Sequence, residues 1–184
     1  MPIIRPFAVS LALLALFASA AFAGSFNSDK KNDSDRKQQS TLAFAATIQF
    51  SNQLRSEADD LLRRSPTFRA QYQRIVEAGS VVVGVHFDVR LCQTDYRART
   101  TFRRYQSGLI VADISIGPGS NSGEWIAHEF EHILEQLDGH DLPRLARNHS
   151  KDVWYSGSDV IETDRAIRAG RTVRDELRRP QNTQ

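Results

Sequence analysis

Residues 127–140, "AHEFEHILEQLDGH", place His128 and His132 four positions apart with Glu129 between them. Side chains four apart on an α-helix leave the same face, so both imidazoles can address one ion, with Glu129 within reach of a bound water. The flanking residues supply the helix. Ile126, Phe130, Ile133, Leu134 and Leu137 recur at helical spacing and form an apolar face, with the histidines along its margin. Random order in a chain with 5 His among 184 residues would yield this pattern on the order of 0.006 times. Two solvated surface histidines are therefore the weaker explanation.

Outward from this helix the period changes. The loop "GPGSNSG" (117–123) leads into it, with Asn121 or Ser122 available as the cap. Ahead of that loop, Val81, Val83, Val85, Phe87, Val89 and Leu91 alternate as a half-buried strand. "ARTTFRRYQ" (98–106) and "GLIVADISI" (108–116) supply two more, joined at Ser107-Gly108. Three strands in such close succession imply a short, mainly antiparallel sheet. Leu54, Ala58, Leu61 and Leu62 mark one earlier helix, and Phe68, Tyr72, Ile75 and Val76 a second, capped by Ser65, opened by Pro66 and closed by Gly79. Past Gly139 the chain reads as irregular to about Gly157. A long helix over 158–177 follows, stopped by Pro180. The fold class is α+β, with the sheet packed on the motif helix and a second, C-terminal helix, and there is no internal repeat.

The ends read differently. Residues 1–23 combine Arg5, an apolar run from Phe7 to Phe17 and small residues ending at Ala23, the three-part pattern of a secretory signal peptide. The apolar run is too short to span a bilayer, which takes ~20 residues. A mature chain of 161 residues is thus expected in the periplasm or outside the cell, with no stable membrane anchor. Residues 24–40 are almost wholly polar and read as a disordered leader, 41–179 as one domain, and 180–184 as a tail. A net charge of +2 gives no reason to expect nucleic acid as a partner. Arg97, Arg99, Arg103 and Arg104 form the densest basic patch and read as a solvated face. Cys92 is the only cysteine, so no intrachain disulfide can form, and it reads as a packing residue.

His128-Glu129-Phe130-Glu131-His132 on a helix resembles the HExxH signature of the zincin metallopeptidases. That resemblance implies a minimal zincin-like domain, zinc on His128 and His132, Glu129 as general base, and a peptide or protein substrate. The chain is also similar to small secreted bacterial proteins that carry HExxH with a downstream Glu-Thr on a second helix.

A catalytic zinc usually takes three protein ligands and keeps one position for water, and four residues compete for the third place. Asp138 stands where the metzincin pattern would put a ligand, but Glu135 replaces the glycine that pattern needs for its turn. With Gly139 as the cap, the helix runs straight through Asp138, pointing it about 80° away from His128. Glu135 shares the face of His128 but lies about 10 Å along the axis. Glu135, and Asp138 beside it, are therefore expected as hydrogen-bond partners of the ligands rather than as ligands. His140, just past the cap, can turn either way. Glu162 is favoured, because it heads a stripe with Ala166, Ala169, Gly170 and Val173 on which a neighbouring helix can pack closely. A carboxylate on such a face is costly to bury unless a cation meets it.

HExxH followed by a glutamate from a second helix resembles the gluzincins. Ala166 departs from that group, which often has an aspartate there to hold a ligand, so Glu135 or Asp164 would have to serve instead. The resemblance implies hydrolysis by a zinc-activated water; "GLIVADISI" is the candidate edge on which a peptide pairs, and Tyr155, His149 and His140, each read first as an ordinary loop residue, are the candidate donors to the developing oxyanion. The alternative is a non-catalytic, zinc-stabilised peptide-binding domain in which Glu135, Asp138 or His140 fills the fourth position.

Overall fold

Seven apolar side chains, Val81, Val83, Val85, Ile110, Ala112, Ile114 and Ile116, line one face of a sheet and are almost completely buried. They come from strands β2 (Val81–Phe87) and β4 (Ile110–Ile116) of the computed structural model, which describes residues 48–94, 96–119, 121–157 and 160–180. The expected signal peptide, the leader and residues 181–184 lie outside the described residues. All described residues belong to one compact unit. In chain order the elements are β1 (Ile48–Phe50), α1 (Arg55–Arg64), α2 (Pro66–Ala78), β2, β3 (Ala98–Arg104), β4, α3 (Ser122–Leu137), α4 (Leu142–Arg147), β5 (Val153–Tyr155), β6 (Ile161–Thr163) and α5 (Asp164–Arg178).

The architecture is α+β, with a four-stranded sheet in the order β1-β2-β4-β3 and a two-stranded ladder of β5 and β6. The main sheet is mixed, which corrects the expectation of a mainly antiparallel one. β1 and β4 both run parallel to β2, and only β3 is antiparallel to its neighbour β4. Side-chain chemistry explains the order. β4 presents four buried apolar residues and needs a strand on each side, whereas β3 carries Arg99, Arg103 and Arg104 and suits an edge that faces water. The 3-10 turn Val89–Gln93 lets β3 pass outside β4 before the hairpin returns. That turn also ends β2 at Phe87, not at Leu91 as alternation implied. The Asp88 side chain accepts a hydrogen bond from the Arg90 backbone at 3.0 Å and turns the chain. Cys92, in the same turn, is exposed and does not pack.

Against the sheet lie α3, through Ile126, Phe130 and Ile133, and α2, through Phe68 and Ile75. Phe130 sits at the centre, its ring 4.9 Å from that of Phe68 and 6.2 Å from that of Phe50. Burying each such side chain contributes about 1.5–3 kcal/mol. α2 begins as expected, with Ser65 Oγ accepting from the Phe68 backbone at 2.9 Å and Pro66 in the first turn, and it ends at Gly79 with φ 62°. The carboxylate of Glu176, near the end of α5, accepts from Ser65 Oγ at 2.5 Å and from Thr67 Oγ1 at 2.7 Å. An anion at a helix N-terminus is favoured by the helix dipole, so this contact ties α5 to α2.

The C-terminal region departs most from expectation. The stretch read as irregular holds α4 and β5, and the long helix begins only at Asp164, because Thr163 Oγ1 caps it by accepting from the Ala166 backbone at 3.0 Å. Glu162 is therefore on β6, paired with Trp154, and not in the first turn of a helix. The small-residue stripe does what its spacing implies. Ala166, Gly170 and Val173 are buried, and α5 packs along α3 so closely that a Cβ on Gly170 would sit 2.9 Å from the Glu124 carbonyl oxygen and 3.3 Å from His128 Cβ.

Candidate metal centre

α3 carries both histidines and Glu129 on its buried side, with relative exposures of 5%, 6% and 5% for His128, His132 and Glu129. The helix remains regular to Leu137, and Gly139 at φ 79° turns the chain away. β6 then brings Glu162 back across the histidines. Glu162 Oε1 lies 3.2 Å from His128 Nε2 and 3.6 Å from His132 Nε2, and the two imidazole rings stand nearly perpendicular with centroids 4.9 Å apart. One donor atom from each of His128, His132 and Glu162 falls within 4.8 Å of the others, so this group could hold a metal ion.

The electrostatics favour a cation. Burial alone would push the His132 pKa down, but hydrogen bonds to Glu135 and Glu162 and the charges of Glu129 and Glu135 raise it to about 10. Burial likewise pushes Glu162 up, and the contacts with His128 and His132 outweigh it and bring it to about 2. A proton on His132 answers the same carboxylate charge that a divalent ion would, so metal binding must release it.

The neighbouring acids differ in what they touch. Glu135 Oε2 lies 2.8 Å from His132 Nδ1, which turns the other ring nitrogen, Nε2, toward Glu162. Asp164 pairs with Arg168. Replacing Glu135 with alanine is expected to weaken metal affinity by ~10 to 100-fold, measurable by competition with a chromogenic chelator. Asp138 contacts neither histidine. Its carboxylate is held by Arg74 at 2.8 Å and Arg165 at 2.7 Å, which corrects the expectation that it partners a ligand. The helix runs straight, as expected, and so aims Asp138 elsewhere.

Two features went unread in the sequence. Thr100 Oγ1, on β3, donates to Glu129 Oε2 at 2.6 Å. Glu131, the second acid of the motif, is buried and accepts from Gln71 Nε2 at 2.6 Å and from Arg165 Nε at 2.5 Å. Arg165 follows Glu162 by three residues, so its bonds to Glu131 and Asp138 fasten the start of α5 to α3 beside the third donor. Charged residues in both segments were visible, but nothing local indicates that they meet.

The group opens on a cleft of ≈ 890 Å³, walled by β3 on one side and by Leu142, Pro143 and Ile161 on another, with Trp125 and Tyr96 also lining it. His140 lines the cleft, but it is not part of the donor group. Tyr155 and His149 are not among the lining residues. Comparison with protein-family models, with curated proteins and with solved structures finds no match.

Proposed function

We propose that this protein is a zinc-dependent peptidase of zincin type, gluzincin-like in taking Glu162 as its third ligand. One observation carries the reading: Glu162 Oε1 stands close to tetrahedral donor spacing from both histidine nitrogens. Zinc bonds of ~2.0–2.1 Å to imidazole nitrogen and carboxylate oxygen place neighbouring donors about 3.3 Å apart, and the two distances from Glu162 Oε1 are 3.2 Å and 3.6 Å. The chemistry of the set, two neutral nitrogens and one carboxylate, also suits zinc.

When bound, zinc would supply a Lewis acid and a water acidified toward neutrality. Glu129 is the proton acceptor. It follows His128 directly, it is buried, and its bond from Thr100 occupies Oε2 and leaves the other oxygen for the transferred proton. The same carboxyl group then passes the proton to the leaving nitrogen. An extended substrate pairs with β3 and not with "GLIVADISI", because β4 is an interior strand while β3 is an edge strand among the described residues and lines the cleft.

The non-catalytic alternative needs a fourth protein ligand. Glu135 is engaged at His132 Nδ1, Asp138 by two arginines, and His140 lines the cleft without being part of the donor group, which supports an open fourth position. The secreted or periplasmic location belongs to the same proposal and is tested by N-terminal sequencing of exported protein. The function is tested by metal analysis together with hydrolysis of quenched fluorescent peptides. About one zinc per chain and chelator-sensitive cleavage are expected. Zinc near zero after chelator-free purification overturns the reading, and stoichiometric zinc without cleavage transfers it to the alternative.

A further inference from the structure

Among the described residues, Glu131 is the buried acid that the metal centre leaves unused, at 8% exposure. Burying a carboxylate is costly unless partners replace its lost hydration. Both of its oxygens are taken. Oε2 accepts from Gln71 Nε2 of α2 at 2.6 Å, and Oε1 accepts from Arg165 Nε of α5 at 2.5 Å. A second nitrogen of the same guanidinium, Nη1, donates to Asp138 Oδ2 at 2.7 Å, and Arg74 of α2 donates to the other oxygen of Asp138 at 2.8 Å. Gln71 and Arg74 lie one turn apart on α2, and Glu131 and Asp138 two turns apart on α3 and its cap. Arg165 therefore closes a ring of polar contacts across three helices.

That ring stands three residues from Glu162. β6, which carries Glu162, is a three-residue strand that pairs, among the described residues, with β5 alone and not with the main sheet. The place of Glu162 thus depends on how the start of α5 is held. The far end of α5 is tied by Glu176, which accepts from Ser65 and Thr67, and by Arg174, which donates to Glu124 at 3.0 Å. In its first turn, among the described residues, the polar side-chain contacts with α3 are those of Arg165. A metal donor has to be held within ~0.5 Å of its productive place, and three residues of chain, reaching at most ~10 Å, leave little slack beyond a fixed end.

We infer that Arg165, held by Glu131, is a positioning residue for the metal centre: it sets the place of the Glu162 carboxylate and so the affinity for the ion. This role rests on Glu162 as the proposed third ligand and is independent of peptide hydrolysis. Arginine suits it because its planar fork donates to two carboxylates at once, a geometry that the single ammonium group of lysine does not reproduce. The competing account is that the close packing of α5 along α3 at Gly170 alone seats Glu162, with Arg165 serving only to offset a buried charge; it predicts an effect on stability and none that passes through Glu162.

The experiment is a double-mutant cycle read in zinc affinity, by competition of the purified protein with a chromogenic chelator, with circular dichroism confirming that each variant is folded. Arg165→Met should weaken zinc binding by ~10 to 100-fold, the range for residues that orient a ligand, and Arg165→Lys should recover part of that loss. Added to Glu162→Ala, Arg165→Met should cost nothing further, since no third donor is left to place. A double variant whose loss equals the product of the two single losses overturns the inference, because Arg165 would then act on the fold and not through Glu162. Zinc affinity unchanged in Arg165→Met also overturns it. If Arg165→Met fails to fold with Glu131 unpaired, Glu131→Gln with Arg165→Met removes both charges and carries the same expectations. Absence of zinc binding by wild type overturns the inference together with the metal centre, whereas absence of hydrolysis, measured separately, counts against the peptidase reading alone.

Discussion

Peptide hydrolysis is expected to fall by about 100- to 10,000-fold in Glu129→Gln, the range that a positioned general base contributes, while zinc content and thermal stability stay close to wild type. Glutamine has nearly the size and shape of glutamate, and Glu129 is 5% exposed in a packed helix, so shape is what the fold requires there. The amide oxygen can still accept the hydrogen bond that Thr100 donates at 2.6 Å. What it lacks is basicity, since an amide does not take up a proton near neutral pH. Rates are to be compared at matched zinc occupancy. Wild-type turnover by this variant would remove Glu129 from the mechanism.

Metal affinity is expected to fall by more than about 100-fold in Glu162→Ala, beyond the ~10 to 100-fold loss typical of removing a partner that only orients a ligand. Glu162 supplies one of three donors, and its Oε1 is the atom both Nε2 atoms approach. Asp138→Ala is the matched control. It breaks partly exposed ion pairs with Arg74 and Arg165, each worth up to about 1 kcal/mol, and should lower stability slightly with zinc retained. If Asp138→Ala loses zinc and Glu162→Ala keeps it, the third ligand has been misassigned.

How much of this was legible follows from how local each determinant is. The motif helix, the Ser65-Pro66 start and Gly79 end of α2, and the small-residue stripe on α5 are set by neighbours within a turn or two, and all were readable. The alternation of Val81 to Leu91 was readable as a strand, but Asp88 bonding to the Arg90 backbone ended it early. Pairing direction was not readable, because whether β4 joins β2 or stays beside β3 alone depends on which row of side chains is buried by α3. Glu162 was expected beside the two histidines and lies there, but it reaches them from a strand and not from a helix, because Thr163 acts as helix cap. Thr100 and Arg165 reach α3 from positions 29 and 34 residues away from their partners, with no local pattern to indicate either contact.

The span from His128 to Glu162 covers 34 positions of chain, and with an ion bound its two ends are joined through one atom. The protein has a single cysteine and no covalent means of closing a loop. Coordination would therefore serve as its cross-link, removing from the unfolded chain conformational entropy on the order of 3–4 kcal/mol if the arithmetic for a disulfide-closed loop of similar length applies. Among the described residues the enclosed segment has a small cluster of its own, Leu142, Ala146 and Val153 with Leu145 and Ile161 against it, to hold it folded. Stripping the ion with a chelator should make residues 139–161 the first site cut in limited proteolysis, well before the sheet is touched, and an unchanged cleavage pattern would show that the segment is held closed by packing alone.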